Sequence, residues 1–218
     1  MVNTFANNLI DQIFYINLDH RVDRNEHMKN VLHNILNISP NTIQRFSAID
    51  YSKDYNFIAR CIGCAQSHLE IWKQSIANNF KHIIVFEDDI TPIRPIKIIS
   101  DDIVNLIHTY PNFNICNMAY STHKPLKQDS TLKNFYQSSE IQTASAYILN
   151  SNFIEPLIKI TEQCIYNLSR NMNPNNNAVD QCWKTLQINN PMWFLMERSF
   201  KQIESYSDLE HRFVNYNL

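Results

Sequence analysis

The chain has 218 residues, 44% of them hydrophobic, and a single glycine, Gly63. Its 19 Lys and Arg nearly balance 21 Asp and Glu, for a net charge of -2, so no global basic surface points to nucleic acid or to an anionic membrane. One glycine also excludes the G-x-G-x-x-G, G-x-x-x-x-G-K-[ST] and G-x-S-x-G motifs, so a phosphate-bearing ligand must be met by a metal, by basic side chains or by a helix N-terminus without a glycine loop.

The length suits one domain over residues 1–218. No apolar run reaches the ~18 residues of a membrane span. The opening MVNTFANNLIDQ has neither the basic head nor the apolar stretch of a leader, and the expectation is an intracellular protein whose cysteines, Cys61, Cys64, Cys116, Cys164 and Cys182, are reduced. The pair Cys61-x-x-Cys64 offers half a zinc site or a redox pair. No second ligand pair stands at comparable spacing, which favours two small buried hydrophobes.

In chain order, residues 13–18 form a continuous apolar run, the pattern of a strand buried on both faces. A charged loop follows, then an amphipathic helix with Met28, Val31, Leu32 and Ile35 on one side. Residues 42–46 read as a second strand. Ile62, Ala65, Leu69, Trp72 and Ile76 step by three and four along a helix beginning near Gly63, and a strand at 82–86 ends in Glu87-Asp88-Asp89. Ser100 is the predicted N-cap of a third helix, with Asp101 and Asp102 in its first turn. Strands are expected at 113–118, near Tyr136 and at 144–149, with a polar loop over 121–134. Ser151 is the predicted cap of a helix bearing Ile154, Leu157, Thr161 and Leu168, and after a loop at 171–177 a short helix over 178–186 carries Asp180. Strand and helix alternate as in an α/β fold with a mainly parallel sheet flanked by helices, and there is no internal repeat or linker. Asparagine is abundant, and it tolerates the left-handed backbone that glycine ordinarily fills.

The acidic trio is the sharpest chemical feature. Ligands of open α/β sheets bind beyond the carboxyl ends of strands, and alternation predicts Glu87 and Asp89 on one side with Asp88 on the other. Adjacent carboxylates repel unless they share a cation, and their hard oxygens suit Mg²⁺ or Mn²⁺; a solvated acidic turn is the competing reading. A second cluster, Asn17-Leu18-Asp19-His20-Arg21-Val22-Asp23-Arg24, places Arg21 and Arg24 three apart, on one face if helical. A third, Gly63-Cys64-Ala65-Gln66-Ser67-His68-Leu69, sets Ser67 and His68 off the apolar stripe.

Together these segments resemble glycosyltransferase family 25, the lipooligosaccharide and procollagen galactosyltransferases. The likeness rests on Tyr15 to Asp19 with Arg21 and Asp23-Arg24, on Gly63-Cys64 with Ser67-His68-Leu69 and Trp72, and on Phe86 to Ile90. Thr143 with Ala146-Tyr147-Ile148, Val179-Asp180 and Ser207-Asp208-Leu209 extend it in the same order. His20, Val22, Arg60 and Cys61 depart from the pattern. The resemblance implies a GT-A-like, Rossmann-related fold and a metal-dependent transfer of galactose or glucose from a UDP-sugar to a hydroxyl of a glycan or collagen-like protein. It implies Mn²⁺ or Mg²⁺ on Glu87 and Asp89, with Asp208 or His211 as a further ligand. Asn17, Leu18, Arg21, Arg24, Ser67, His68 and Asp88 would serve the donor, and Asp180 would be the base of an inverting reaction. The alternative is an inactive relative that binds nucleotide or glycan as an interaction module.

Overall fold

A computed structural model describes residues 5–54, 56–188 and 190–215. Residues 1–4, part of the stretch read for a leader, lie outside these. The chain runs β1 (Gln12–Asn17), α1 (Val22–Lys29), a π-helical stretch (Asn30–Ile35), β2 (Ile43–Ser47), α2 (Phe57–Ala77), β3 (His82–Glu87), β4 (Ile90–Pro92) and α3 (Ile96–Thr109). It continues through β5 (Ile115–Ser121), β6 (Lys127–Gln128), β7 (Phe135–Gln137), β8 (Gln142–Asn150), α4 (Ile154–Ser169) and the one-turn helices α5 (Pro174–Asn177), α6 (Val179–Cys182) and α7 (Lys184–Gln187). Strands β9 (Trp193–Met196), β10 (Phe200–Gln202), β11 (Ser205–Ser207) and β12 (Arg212–Val214) complete it.

Eight strands form one sheet in the order β2-β1-β3-β8-β5-β9-β7-β6. β1 pairs in parallel with β2 and β3, and β5 with β9, while β8 lies antiparallel between β3 and β5. Only β8 and β7 oppose the common direction within this sheet, so it is mixed but mainly parallel.

The unbroken apolar runs of β1 and β3 are explained by the two faces they serve. Ile13, Tyr15, Ile84 and Phe86 pack with Met28, Leu32, Ile103 and Leu106 on one side. Phe14, Ile16, Ile83 and Val85 pack with Leu69, Trp72, Leu157 and Trp183 on the other. Alternating side chains thus build two cores from the same strands. Among the described residues no helix is long and apolar enough to cross a membrane.

Several boundaries differ from the predicted ones, each for a local reason. α2 starts at Phe57, six residues before Gly63, because the Asn56 side chain accepts from Ile58 N and caps it. Gly63 therefore sits inside the helix. α3 starts at Ile96 after Pro95, and Ser100, inside it, accepts from Ala6 N at 2.9 Å rather than capping the helix. The π-helical stretch turns Ile35 outward and buries Leu36 instead. Asn150, not Ser151, supplies the cap before α4, accepting from Asn152 N ahead of a short 3-10 turn. β9 was not predicted; it lies between β5 and β7 in the sheet.

Asparagine does take the place of glycine at helix ends. Asn79 and Asn171 have φ of 56° and 59°. After α2, Asn79 N donates to Ile76 O and Phe80 N to Ser75 O; after α4, Asn171 N donates to Leu168 O and Met172 N to Asn167 O. Both are the double carbonyl closures that glycine usually makes.

Candidate active site

A cleft opens at the carboxyl ends of β1, β2 and β3, between the first half of α2 and residues 202–209. Leu18, Arg24, Ser67, His68, Glu87, Asp88, Asp89 and Asp208 all line it.

Glu87 is the last residue of β3, and Asp88 and Asp89 lie in the turn before β4. Asp88 takes Asn17 and Arg24 as partners, whereas Glu87 and Asp89 share Gln202, and all three line the cleft. Arg24 reaches both aspartates, at 2.7 Å from Asp88 and 3.3 Å from Asp89. Asn17 Nδ2 donates to the other Asp88 oxygen at 2.7 Å. Glu87 and Asp89 converge on a common donor, Gln202 Nε2, which stands 3.4 Å from Glu87 Oε2 and 3.3 Å from Asp89 Oδ1.

Two aspartates thus share one guanidinium, with Glu87 beside them. Burial pushes the Asp89 carboxyl up to about 7, with Arg24 opposing the rise and Glu87 and Asp88 adding to it. Burial also raises Asp88, against the pull of Arg24 and Asn17. Burial disfavours the ionised forms of Asp88 and Asp89, and a cation shared at this point would offset that cost.

The two arginines share a face as the spacing predicted, but both are spent on protein. Arg21 forms a bidentate pair with Asp23, at 3.0 and 2.8 Å, and holds Asp208 and the Tyr206 carbonyl. Arg24 donates to Ser205 Oγ at 2.6 Å and Tyr206 O at 3.0 Å besides its acids. They brace the acids and moor β11 to the cleft.

Other predicted residues divide similarly. Asn17 is 1% exposed and reaches the site only through Asp88, its oxygen accepting from Arg45 Nε at 2.8 Å. Ser67 is fully buried; its hydroxyl donates to Gly63 O and accepts from Ile49 N, clamping the chain after β2 to α2. His211 is turned away, its Nε2 donating to Ser52 O at 2.8 Å. That removes it as a companion to Glu87 and Asp89, whereas Asp208 lines the cleft. Asp180 lies beside the cleft: Oδ2 accepts from Thr143 N at 3.1 Å, and burial, with Glu87 assisting, raises its carboxyl. Thr143 holds a φ of 84°, a strained value for a β-branched residue, at this contact.

The profile of Glycosyltransferase family 25 (LPS biosynthesis protein) matches residues 58–183, more than half of the chain. The chain belongs to glycosyltransferase family 25. No curated protein matches it. The crystal structure of mannose-1-phosphate geranyltransferase from Thermus thermophilus superposes with a TM-score of 0.51 at 6% identity, over 87% of this chain and 75% of that one. A glycosyltransferase involved in the glycosylation of the major capsid of PBCV-1 aligns with a TM-score of 0.47 at 9% identity, over 85% and 81%. The fold is GT-A-like, as the resemblance implied.

The cleft of this glycosyltransferase also uses residues that sequence reasoning missed. Gln202 carried no motif, and only its place on β10, paired with β4 directly after the acids, brings it there. Arg60 departs from the family pattern. It is 8% exposed, lines the cleft, and is held by two carbonyls, Leu209 O at 2.7 Å and Asp54 O. Unlike Arg21 and Arg24, it has no carboxylate partner among the described residues.

Proposed function

We propose that this glycosyltransferase moves a hexose, galactose or glucose, from a UDP-sugar to a hydroxyl of a glycan or hydroxylated protein, with inversion. The observation that carries the reading is the convergence of Glu87 and Asp89 on one point in a cleft beyond the strand ends, with Arg24 and Asn17 fixing Asp88 beside them. The fit to a divalent cation is good: two oxygen donors converge, and Asp89 is left undercompensated by its single guanidinium. Glu87 and Asp89 would hold Mn²⁺ or Mg²⁺, with Asp208 the nearer choice for a further ligand than His211. When bound, the ion supplies Lewis-acid neutralisation of charge on a leaving diphosphate.

The chain's own residues do the rest. Arg60 presents a cation on the cleft wall that no acid among the described residues pairs with, and it suits a phosphate oxygen. Leu18 gives an apolar border at the end of β1. Asp180, with a carboxyl raised by burial, is the candidate to take the acceptor hydroxyl proton.

Release of UDP from UDP-galactose or UDP-glucose in the presence of Mn²⁺ tests the reading. No release with either sugar, and no Mn²⁺-dependent thermal shift with UDP, would sink it. Asp180→Asn is expected to leave UDP binding intact and cut transfer by ~10²–10⁴-fold, the usual contribution of a general base. Near-normal transfer would reduce Asp180 to a brace for Thr143. Arg60→Gln is expected to weaken UDP binding by about 10-fold or more while leaving uridine binding unchanged; equal effects on both would remove its phosphate contact.

One observation favours the second reading, a relative that binds nucleotide or glycan without turnover. Asp180 is occupied by Thr143 N and Gln181 Nε2, and it does not line the cleft. UDP binding with metal, but no transfer across a panel of donors and acceptors, would select that reading.

A further inference from the structure

Cys64 and His68 stand four residues apart on α2, one turn on the same face, opposite the end of β3. The ligand atoms of Cys64, His68 and Glu87 all lie within 4.8 Å of one another. Cys64 and Glu87 are half-buried, His68 is 0% exposed, and all three line the cleft.

The His68 ring is independently telling. Its Nε2 is a buried atom with no hydrogen-bond partner, and Glu87 Oε1, at 3.8 Å, is too distant to be one. Leaving such a group unsatisfied is costly unless a ligand uses it. The opposite nitrogen has a partner. Nδ1 lies 2.9 Å from the Tyr147 hydroxyl, which also accepts from Trp72 Nε1 at 3.0 Å. The phenol oxygen has two lone pairs, so it can accept from both rings. A metal on Nε2 would place the ring proton on Nδ1, facing the Tyr147 oxygen, the outer-shell support found behind metal-binding histidines. Contacts with Trp72 and Trp183 hold the ring orientation.

We propose that Cys64 Sγ, His68 Nε2 and a Glu87 carboxylate oxygen bind a thiophilic divalent cation of the Zn²⁺ class, with a fourth position open to the cleft. A sulfur, nitrogen and oxygen set suits zinc and is poor for Mg²⁺ or Mn²⁺, which prefer oxygen. Three protein ligands and one open position form an exchangeable site rather than a closed structural one. Tetrahedral zinc ligands stand ~3.5 Å apart, and the half-buried Glu87 is the side chain free to close the set. Binding replaces the Cys64 thiol proton, which leaves to solvent. The pairing is i,i+4 with a histidine, which is why counting Cys61-x-x-Cys64 alone found no zinc site. This inference goes beyond the hexosyl-transfer reading and does not rest on it. The two meet at Glu87, which a soft ion would withdraw from the hard-oxygen position.

The full chain is titrated with Co²⁺ and then Zn²⁺, without nucleotide. The expected result is a thiolate-to-cobalt charge-transfer absorption that Zn²⁺ abolishes. Cys64→Ser and, as a second variant at the same half-buried helix position, Cys64→Ala should remove the band and weaken Zn²⁺ binding by more than about 10-fold. Cys61→Ser and Asp89→Asn should keep it. Absence of the band in the parent, its survival in folded Cys64→Ser or Cys64→Ala, or its loss in Asp89→Asn would overturn the site. Because UDP takes no part, a failure of sugar transfer leaves this result unaffected.

Discussion

Asp89→Asn is expected to abolish Mn²⁺-dependent UDP binding while the chain stays folded. The loss should exceed the ~10–100-fold that follows removal of an outer-shell partner, since one of two converging carboxylates is deleted outright. Titration calorimetry of UDP with and without Mn²⁺ is the measurement, and undiminished metal-dependent binding would remove Asp89 from the ion. The same substitution should alter the pH dependence of stability. Asp89 has a carboxyl at about 7 in the folded chain against 3.8 ordinarily, so the native state holds a proton more tightly than the unfolded chain. Its contribution is fully present below pH ~4 and is lost as pH rises through 7. In chelator, urea unfolding of the parent should therefore show less stability at pH 8 than at pH 5, and Asp89→Asn should flatten that slope. An unchanged slope would mean that Arg24 compensates the charge completely.

Gly63→Ala is expected to destabilise the protein although it replaces glycine with a better helix former. The propensity gain inside α2 is about 1 kcal/mol. Against it, a Cβ at Gly63 would meet Ile49 O at 2.6 Å and Tyr51 Cδ2 at 2.8 Å. A backbone carbonyl cannot swing aside as a side chain can, and overpacking of this kind costs ~1–3 kcal/mol or more. The net effect is a loss of up to about 2 kcal/mol, or a melting temperature lower by up to roughly 8 °C for a chain of this size. Ile49 also donates its N–H to Ser67 Oγ and lines the cleft with Tyr51, so UDP affinity should fall in parallel. A raised melting temperature with unchanged UDP affinity would show that the segment yields freely.

The elements carrying the chemistry were legible because each used a local signal. β1 and β3 declared themselves through unbroken apolar runs, and the acids, Arg24 and His68 through motifs placed next to those runs. What stayed illegible depends on distant chain. Gly63 was read as the tight start of a helix, whereas it is a point of close approach between α2 and the chain after β2, which no local pattern encodes. Gln202 reaches the acids only because β10 pairs with β4, a strand of three residues with almost no periodicity. Arg21 and Arg24 read equally as holders of ribose or phosphate or as braces for the acids, and the choice stayed open because their other partners, residues 205–208, lie far along the sequence.

That mooring gives the site a place in time. Arg24 and Ser205 are 181 residues apart, and Arg21 and Asp208 are 187 apart. At ~5–20 residues per second of synthesis, roughly 10–35 s separate the emergence of the arginines from that of the residues they will hold. Throughout that interval the nascent chain carries β1, β3 and, once made, the acids without the wall that closes over them. A chain halted before Ser205 should thus build its two cores around the sheet yet leave Arg21 and Arg24 without their late partners. The wall over the acids would close only after residues 205–208 are made, long after the acids it covers.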